Sequence, residues 1–296
     1  MYSNMVRIVS DTSTLYSTAQ AEQAGFAVSL LSVTIGGKSY REFDEISSEE
    51  FVAIINQGHM PTSSQPAVGE VAELYEEYPE DEILNISMAL GLSGTYTGAL
   101  AAAGMSENPE RITVLTSRTL CGPHRYLVEH AVEMAKKGHS KQEIIEKMEQ
   151  LMDTAKSYLL PADFDYLRRG GRLSPLVSYV GKAIKLVPML TQTEDGKQLP
   201  MAGVRRSFKQ AIQHVGKCLA ARGVDDSWRI YISHARHAPG PAGPGGFERE
   251  VPQRILRYPA PEPRLHHPGR SRLCGSTGHQ ALNEKPFRVG KAFSYL

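Results

Sequence analysis

Residues 85–103 read NISMALGLSGTYTGALAAA. An apolar run ends in a turn of small and hydroxyl-bearing residues, and an alanine-rich helical pattern follows it. Ser93, Gly94 and Thr95 stand where the chain reverses. A strand that passes through a short loop into a helix is the repeating unit of a parallel α/β sheet. Such a junction exposes unpaired backbone N–H groups and the positive end of the helix dipole, a setting suited to an anion.

The flanking sequence repeats the unit. VRIVS (6–10) is a β-branched run that stops at Asp11-Thr12-Ser13, and FAVSLLSVTIGG (26–37) reads as a second strand region closed by two glycines. PTSSQPAVGEV (61–71) reads as a polar, proline-bracketed loop, and ITVLTS (112–117) as another strand. Helices are expected from Ser47, from Val68, over 126–136 and over 140–158. Ser47 with Glu50 and Ser140 with Glu143 have capping-box spacing. In the last of these helices Ile144, Ile145, Met148, Leu151 and Met152 follow the helical period. Strand and helix alternate over residues 5–155, which predicts an N-terminal parallel-sheet α/β domain. Residues 156–236 change texture and predict a second, incomplete α/β domain with a mixed sheet. It contains a basic glycine turn (LRRGGR, 167–172), a hairpin around Asp195-Gly196, an amphipathic helix over 207–223 and a strand at 228–235.

From His237 the pattern breaks. These 60 residues carry nine of the 18 prolines, and nine Lys or Arg against four Asp or Glu, so the body carries −4 of the net +1. A frameshift, a disordered segment or a lineage-specific extension would each give such a break. The body has no basic stripe interleaved with aromatics, which argues against nucleic-acid binding. No apolar stretch nears the roughly 20 residues that span a bilayer. The start MYSNMVRIVSD lacks a basic region followed by an apolar core, so no signal peptide is expected. Three widely spaced cysteines make neither a disulfide framework nor a metal site, and a reducing cytoplasm is expected. Cys121 and Cys218 read as small core residues, and His124, His214 and His234 have no metal-ligand spacing.

Three functions are open for the Ser93 turn. A hydrolase elbow needs G-x-S-x-G, but in GLSGT the second glycine comes one place early. A small-molecule kinase subunit could use the same junction, yet neither a Walker A string nor G-x-G-x-x-G occurs. A carboxylate or phosphate held by hydroxyls and backbone amides needs neither motif. The TSSQP segment (62–66) offers a second hydroxyl cluster. Helix capping alone would also explain a single Ser-Gly-Thr.

Four strings occur in order: VRIVSDTS (6–13), PTSSQPAVGE (61–70), ISMALGLSGTYT (86–97) and DYLRRGGRLS (165–174). Together they resemble the DegV family of bacterial fatty-acid-binding proteins, over about residues 5–235. The resemblance implies a two-domain α/β fold with one long-chain fatty acid between the domains and no cofactor or metal. It implies a carrier rather than an enzyme, one that presents the acyl carboxylate to a fatty acid kinase for acyl phosphate formation in phospholipid synthesis. The family's carboxylate contacts fall on Thr62, with Ser63 beside it, and on Ser93, with backbone donors from Gly94 and Thr95. Its kinase-docking basic residues fall on Arg169, Arg172 and Arg206.

The physical chemistry agrees. Neutral donors hold a carboxylate in a dry site and leave its oxygens free of any cation for phosphoryl transfer. The tail dominates affinity at about 0.8 kcal/mol per buried methylene. Leu100, Ala101, Ala103, Ile184, Leu186, Val187, Met189 and Leu190 are candidate tunnel residues, each equally at home in an ordinary core. The chain departs from the family in two places. Thr116 stands where an acidic residue is usual, ahead of Cys121-Gly122-Pro123. Residues 237–296 lack the G-x-H-x-GPG turn whose histidine completes the carboxylate site, and His279 lacks the context for that role.

Overall fold

The computed structural model describes residues 5–161, 164–173, 186–225 and 227–233, together with the backbone of strands at 248–250 and 285–290. Strands β1 (Val6–Asp11), β2 (Ala27–Ser29), β6 (Glu82–Ser87) and β7 (Ile112–Thr116) form a parallel sheet in the order β2-β1-β6-β7. Side chains alternate across each strand, and both faces are apolar, as a sheet covered on both sides requires. Ile8, Leu84 and Ile86 face helices α5 (Cys121–Lys136) and α6 (Lys141–Thr154), whose Leu127, Val128, Ile144 and Met148 complete one core. Val9 and Ile83 point the other way, into a second core with Val71 and Tyr75 of α3 (Val68–Glu76) and Ala102 and Ala103 of α4 (Thr95–Ala103). The result is a three-layer α/β/α domain. Helix α1 (Thr18–Ala24) has a complete capping box, as do α6 and α2 (Ser48–Asn56).

The run read as one strand region at 26–37 is two. It breaks at Leu30-Leu31, and β3 (Ser32–Ile35) leaves for a small antiparallel sheet in the order β4-β3-β5, with β4 at Lys38–Arg41. The TSSQP segment, expected to be loop throughout, supplies β5 (Thr62–Ser64), because Ser32, Val33 and Thr34 offer it an unpaired edge. Helix α5 starts at Cys121 rather than Tyr126. Pro123 lies in the first turn, where its missing N–H has no intrahelical partner to lose. Helix α6 ends at Thr154 instead of 158, since the chain turns extended at Ala155 and enters β8 (Ser157–Leu159).

In the second half, β9 (Val187–Thr191) and β10 (Met201–Arg205) form the expected hairpin. Asp195 builds its tip: Oδ1 accepts the amide of Lys197 at 3.0 Å and the Thr193 hydroxyl at 2.6 Å, while Gly196 takes φ +71°. A six-stranded mixed sheet runs β10-β9-β8-β13-β11-β12, with β11 at Trp228–Ser233, β12 at Glu248–Glu250 and β13 at Lys285–Gly290. It therefore takes two strands from the proline-rich segment, β13 pairing parallel with both β8 and β11. The remaining described α-helices are α7 (Phe164–Arg169) and α8 (Phe208–Ala221). Helix α8 packs Ala211, Val215 and Leu219 against Met189, Trp228 and Ile230.

Two contacts among those that join the halves stand out. Tyr231 of β11 enters the α5–α6 core, its ring 6.5 Å from that of Tyr126. The hairpin tip is wedged between two N-terminal loops. A Cβ on Gly91 would lie 1.9 Å from the Lys197 carbonyl oxygen, and one on Gly196 would lie 2.7 Å from Cα of Arg118. Cys121 and Cys218, expected in the core, are only half-buried.

Candidate ligand site

The site lies beyond the carboxyl ends of β1 and β6, where open α/β sheets place their ligands. Asp11 holds the loop there. One carboxylate oxygen accepts the amide of Ser13 at 2.9 Å and the other the amide of Met88 at 2.8 Å. The next residue, Ala89, donates its amide to Thr119 at 2.8 Å. Residues 88–94 are thereby fixed between β6 and α4. The Ser93 hydroxyl accepts the Thr95 amide at 3.3 Å and lies 2.8 Å from the Thr95 hydroxyl. Gly94 at the N-cap offers no side-chain cap, so Ser93 takes the Thr95 amide and the next amides of α4, those of Tyr96 and Thr97, stay uncapped by a side chain.

Ser93 and Gly94 line a cleft of about 580 Å³ with Thr97, Arg172, Lys197 and Gln198. Arg172 arrives from the glycine turn after α7. Its Nε donates to the Leu92 carbonyl at 3.3 Å and a terminal nitrogen to the Gly170 carbonyl at 2.6 Å. The half-buried guanidinium is held below its ordinary pKa by desolvation. Beside its neutral donors the cleft is lined by Arg172 and by Lys197, whose ammonium lies 3.8 Å from Asp195.

Thr95 is buried in the helix start. Thr62 and Ser63 sit on β5, in register with Thr34 and Val33, and are not among the residues lining the cleft. Their segment reaches α4 through Gln65: a Cβ on Gly94 would lie 1.9 Å from its Oε1, and one on Gly98 2.5 Å from its Nε2. Arg169 is exposed, with a terminal nitrogen 3.4 Å from Sδ of Met60, and Arg206 is exposed between β10 and α8. Of the tunnel candidates, Met189 and Leu190 are buried in the second half and Ala103 in the α3–α4 core, whereas Leu100, Ala101 and Leu186 are exposed. Ile184 lies outside the described residues, as do His234, His279 and most of 237–296.

Sequence reasoning missed the polar network under this loop. His124 is fully buried. Its Nε2 lies 2.9 Å from the Ile86 carbonyl, which can only accept, so Nε2 carries the hydrogen. Its Nδ1 then accepts from the Ser13 hydroxyl at 2.8 Å. Burial pushes its pKa below the usual imidazole value, against a smaller opposing effect of Asp11. On the other side of Asp11, the Thr12 hydroxyl donates to Glu42 at 3.0 Å. Burial of that carboxyl, reinforced by the Asp11 charge and opposed by the Thr12 bond, raises its pKa to about 7. The one local signal for Asp11 was its place directly after a strand, as an N-cap; nothing local singled out His124 or Glu42. Among the described residues no group of three or more His, Cys, Asp or Glu is gathered to hold a metal ion.

The fold is a two-domain α/β fold, and the chain belongs to the DegV family, whose model, described as "uncharacterised protein", matches residues 5–242. DegV domain-containing protein SA1258 of Staphylococcus aureus is 34% identical over 231 residues, 77% of this chain and 81% of that protein. A DegV family protein from Thermus thermophilus described for its fatty acid binding superposes with TM-score 0.69 at 26% identity, over 78% of this chain and 82% of its own. DegV of Bacillus subtilis, described as a fatty acid binding protein, gives TM-score 0.69 at 28% identity, over 79% and 84%.

Proposed function

We propose that this protein binds a long-chain fatty acid between its two halves, with the carboxylate in the cleft formed by Ser93, Gly94 and Arg172. The observation that carries the proposal is this meeting of a helix start, a hydroxyl and a half-buried arginine at one cleft. An anion is favoured there by dipole, donors and charge together. Thr62 and Ser63 on β5 and Thr95 in the first turn of α4 stand behind the cleft and support its walls, the β5 segment through Gln65. The Thermus and Bacillus relatives support the choice of a fatty acid over another carboxylate.

The protein acts as a non-catalytic cytoplasmic carrier that hands its ligand to a fatty acid kinase, which makes the acyl phosphate used in phospholipid synthesis. No helix among the described residues is long and apolar enough to cross a membrane. Arg169 and Arg206 are exposed for the kinase. Arg172, a third basic position for that contact, also reaches the ligand end. A hydrolase is less well supported, because the Ser93 hydroxyl is engaged by Thr95 and no histidine lies among the described residues of the cleft.

Native mass spectrometry of the purified chain, with fatty acid analysis of a solvent extract, tests this. One long-chain acid per chain is expected. Loss of a charge-assisted hydrogen bond costs about 1.5–3 kcal/mol, so Ser93→Ala should weaken oleate binding roughly 10- to 100-fold, with a further loss on adding Thr62→Ala. A folded chain that neither carries nor takes up oleate or palmitate would refute the proposal.

A further inference from the structure

The tip of the β9–β10 hairpin serves two cavities. Lys197 and Gln198 line the cleft described above, whereas Gln192, Thr193 and Glu194 line a second cavity of about 340 Å³. Its other walls come from the turn after β7, the α6–β8 connection and the end of α8, so no single element builds it. It is also where the two halves of the chain meet.

Its charges are unevenly satisfied. Arg118 is paired with Asp153 at 2.9 Å. Among the described residues Lys156 donates to the Gln192 carbonyl alone, at 3.3 Å. Arg222 caps α8 through its backbone, and among the described residues no hydrogen bond or ion pair holds its guanidinium. Lys156 is half-buried. Desolvation first, and the neighbouring Arg222 charge second, hold its amine below the ordinary pKa, with Glu194 opposing. Two like charges around one polar cavity repel, and burial of one adds to the cost. A bound anion would offset both. The hydroxyls of Thr119 and Ser157, 3.4 Å apart on the same wall, add neutral donors. The volume holds about ten waters at roughly 30 Å³ each, enough for a tetrahedral oxyanion with a small substituent. An ammonium, a guanidinium and two hydroxyls from separate elements surround a tetrahedral dianion more completely than a flat monoanion.

We propose that this cavity is a binding site for a phosphate-type anion, either inorganic phosphate or the phosphate of a small monoester, held by Lys156 and Arg222 with Thr119 and Ser157. Bound there, it ties the α6–β8 segment and the end of α8 to the hairpin that also walls the head-group cleft.

Titration calorimetry and thermal unfolding of the full chain, in sodium phosphate against sodium chloride of equal ionic strength, test the site without any fatty acid present. Saturable phosphate heat is expected, with a rise in Tm that chloride does not give. Arg222→Gln and Lys156→Gln should each weaken binding roughly tenfold or more. Glu194→Gln removes the opposing carboxylate and should tighten binding severalfold, a gain that misfolding cannot imitate. Phenyl phosphate competing more tightly than inorganic phosphate assigns the site to a monoester, and the reverse order to the free ion. Phosphate heat no greater than that of chloride, an unchanged response in a folded Arg222→Gln, or weaker binding by Glu194→Gln would overturn the proposal.

Discussion

Replacing Glu42 by glutamine removes a charge that the fold holds at a cost. Its carboxylate accepts from Thr12 at 3.0 Å and faces Asp11, whose oxygens are already committed to the amides of Ser13 and Met88. Burial, aided by Asp11, raises the Glu42 pKa from 4.5 to about 7. A carboxyl with a raised folded-state pKa keeps its proton where the unfolded chain has lost it, so its contribution to stability falls as pH rises between these two values. At 1.36 kcal/mol per pKa unit the shift corresponds to about 3 kcal/mol at most. His124 has the opposite sign. Burial lowers its pKa from 6.5, so protonation favours the unfolded chain and stability is lost as pH falls. In the native chain the two trends oppose each other in mildly acid solution, and a single pH profile would hide both. The difference between variant and native chain isolates Glu42, because glutamine keeps an acceptor for Thr12 and drops only the charge. Urea unfolding should find the two chains nearly equal at pH 4.5. Glu42→Gln should be more stable at pH 8, by up to about 3 kcal/mol. A difference that is flat with pH, or that shrinks as pH rises, would refute this account of the network.

Three further substitutions separate backbone from side-chain contacts and test the buried polar chain. Gly91→Ala drives a Cβ into the Lys197 carbonyl, so urea unfolding should show a loss of about 1–3 kcal/mol, with weaker oleate binding as the hairpin lifts; Gly94→Ala meets only the far end of Gln65 and should cost clearly less. Asn85→Ala strips the Tyr75 hydroxyl and the Ser87 hydroxyl of buried partners at 2.7 and 2.8 Å, and should cost about 1–3 kcal/mol in the same assay.

The first half of the fold was legible because its signals are local. Ile8 against Val9 and Ile83 against Leu84 show the two-faced alternation of a covered parallel strand, and Ser47 and Ser140 mark helix starts by spacing alone. What was illegible depends on partners distant in sequence. Thr62–Ser64 becomes a strand only because β3 presents an edge. His124 is bound into the network by Ser13 and by the Ile86 carbonyl, 111 and 38 residues away. The Ser93 turn could be read as a candidate anion site, but the arrival of Arg172 beside it could not, since it travels on a glycine turn 80 residues later.

That arrival changes the chemistry expected of the site. A carboxylate held only by hydroxyls and amides keeps its full negative charge exposed to a phosphoryl donor. One beside Arg172 has part of that charge neutralised, which lowers its nucleophilicity but favours the approach of an anionic phosphate and the acyl phosphate that results. The same guanidinium has already lost part of its hydration to burial and is tied to the Leu92 and Gly170 carbonyls, so its orientation is fixed before ligand arrives. A preorganised cation gives most where charge is highest. Under the proposed function, Arg172 would therefore fit an acyl phosphate better than the free acid. On that proposal, removing it should depress transfer by a fatty acid kinase more than it depresses oleate binding.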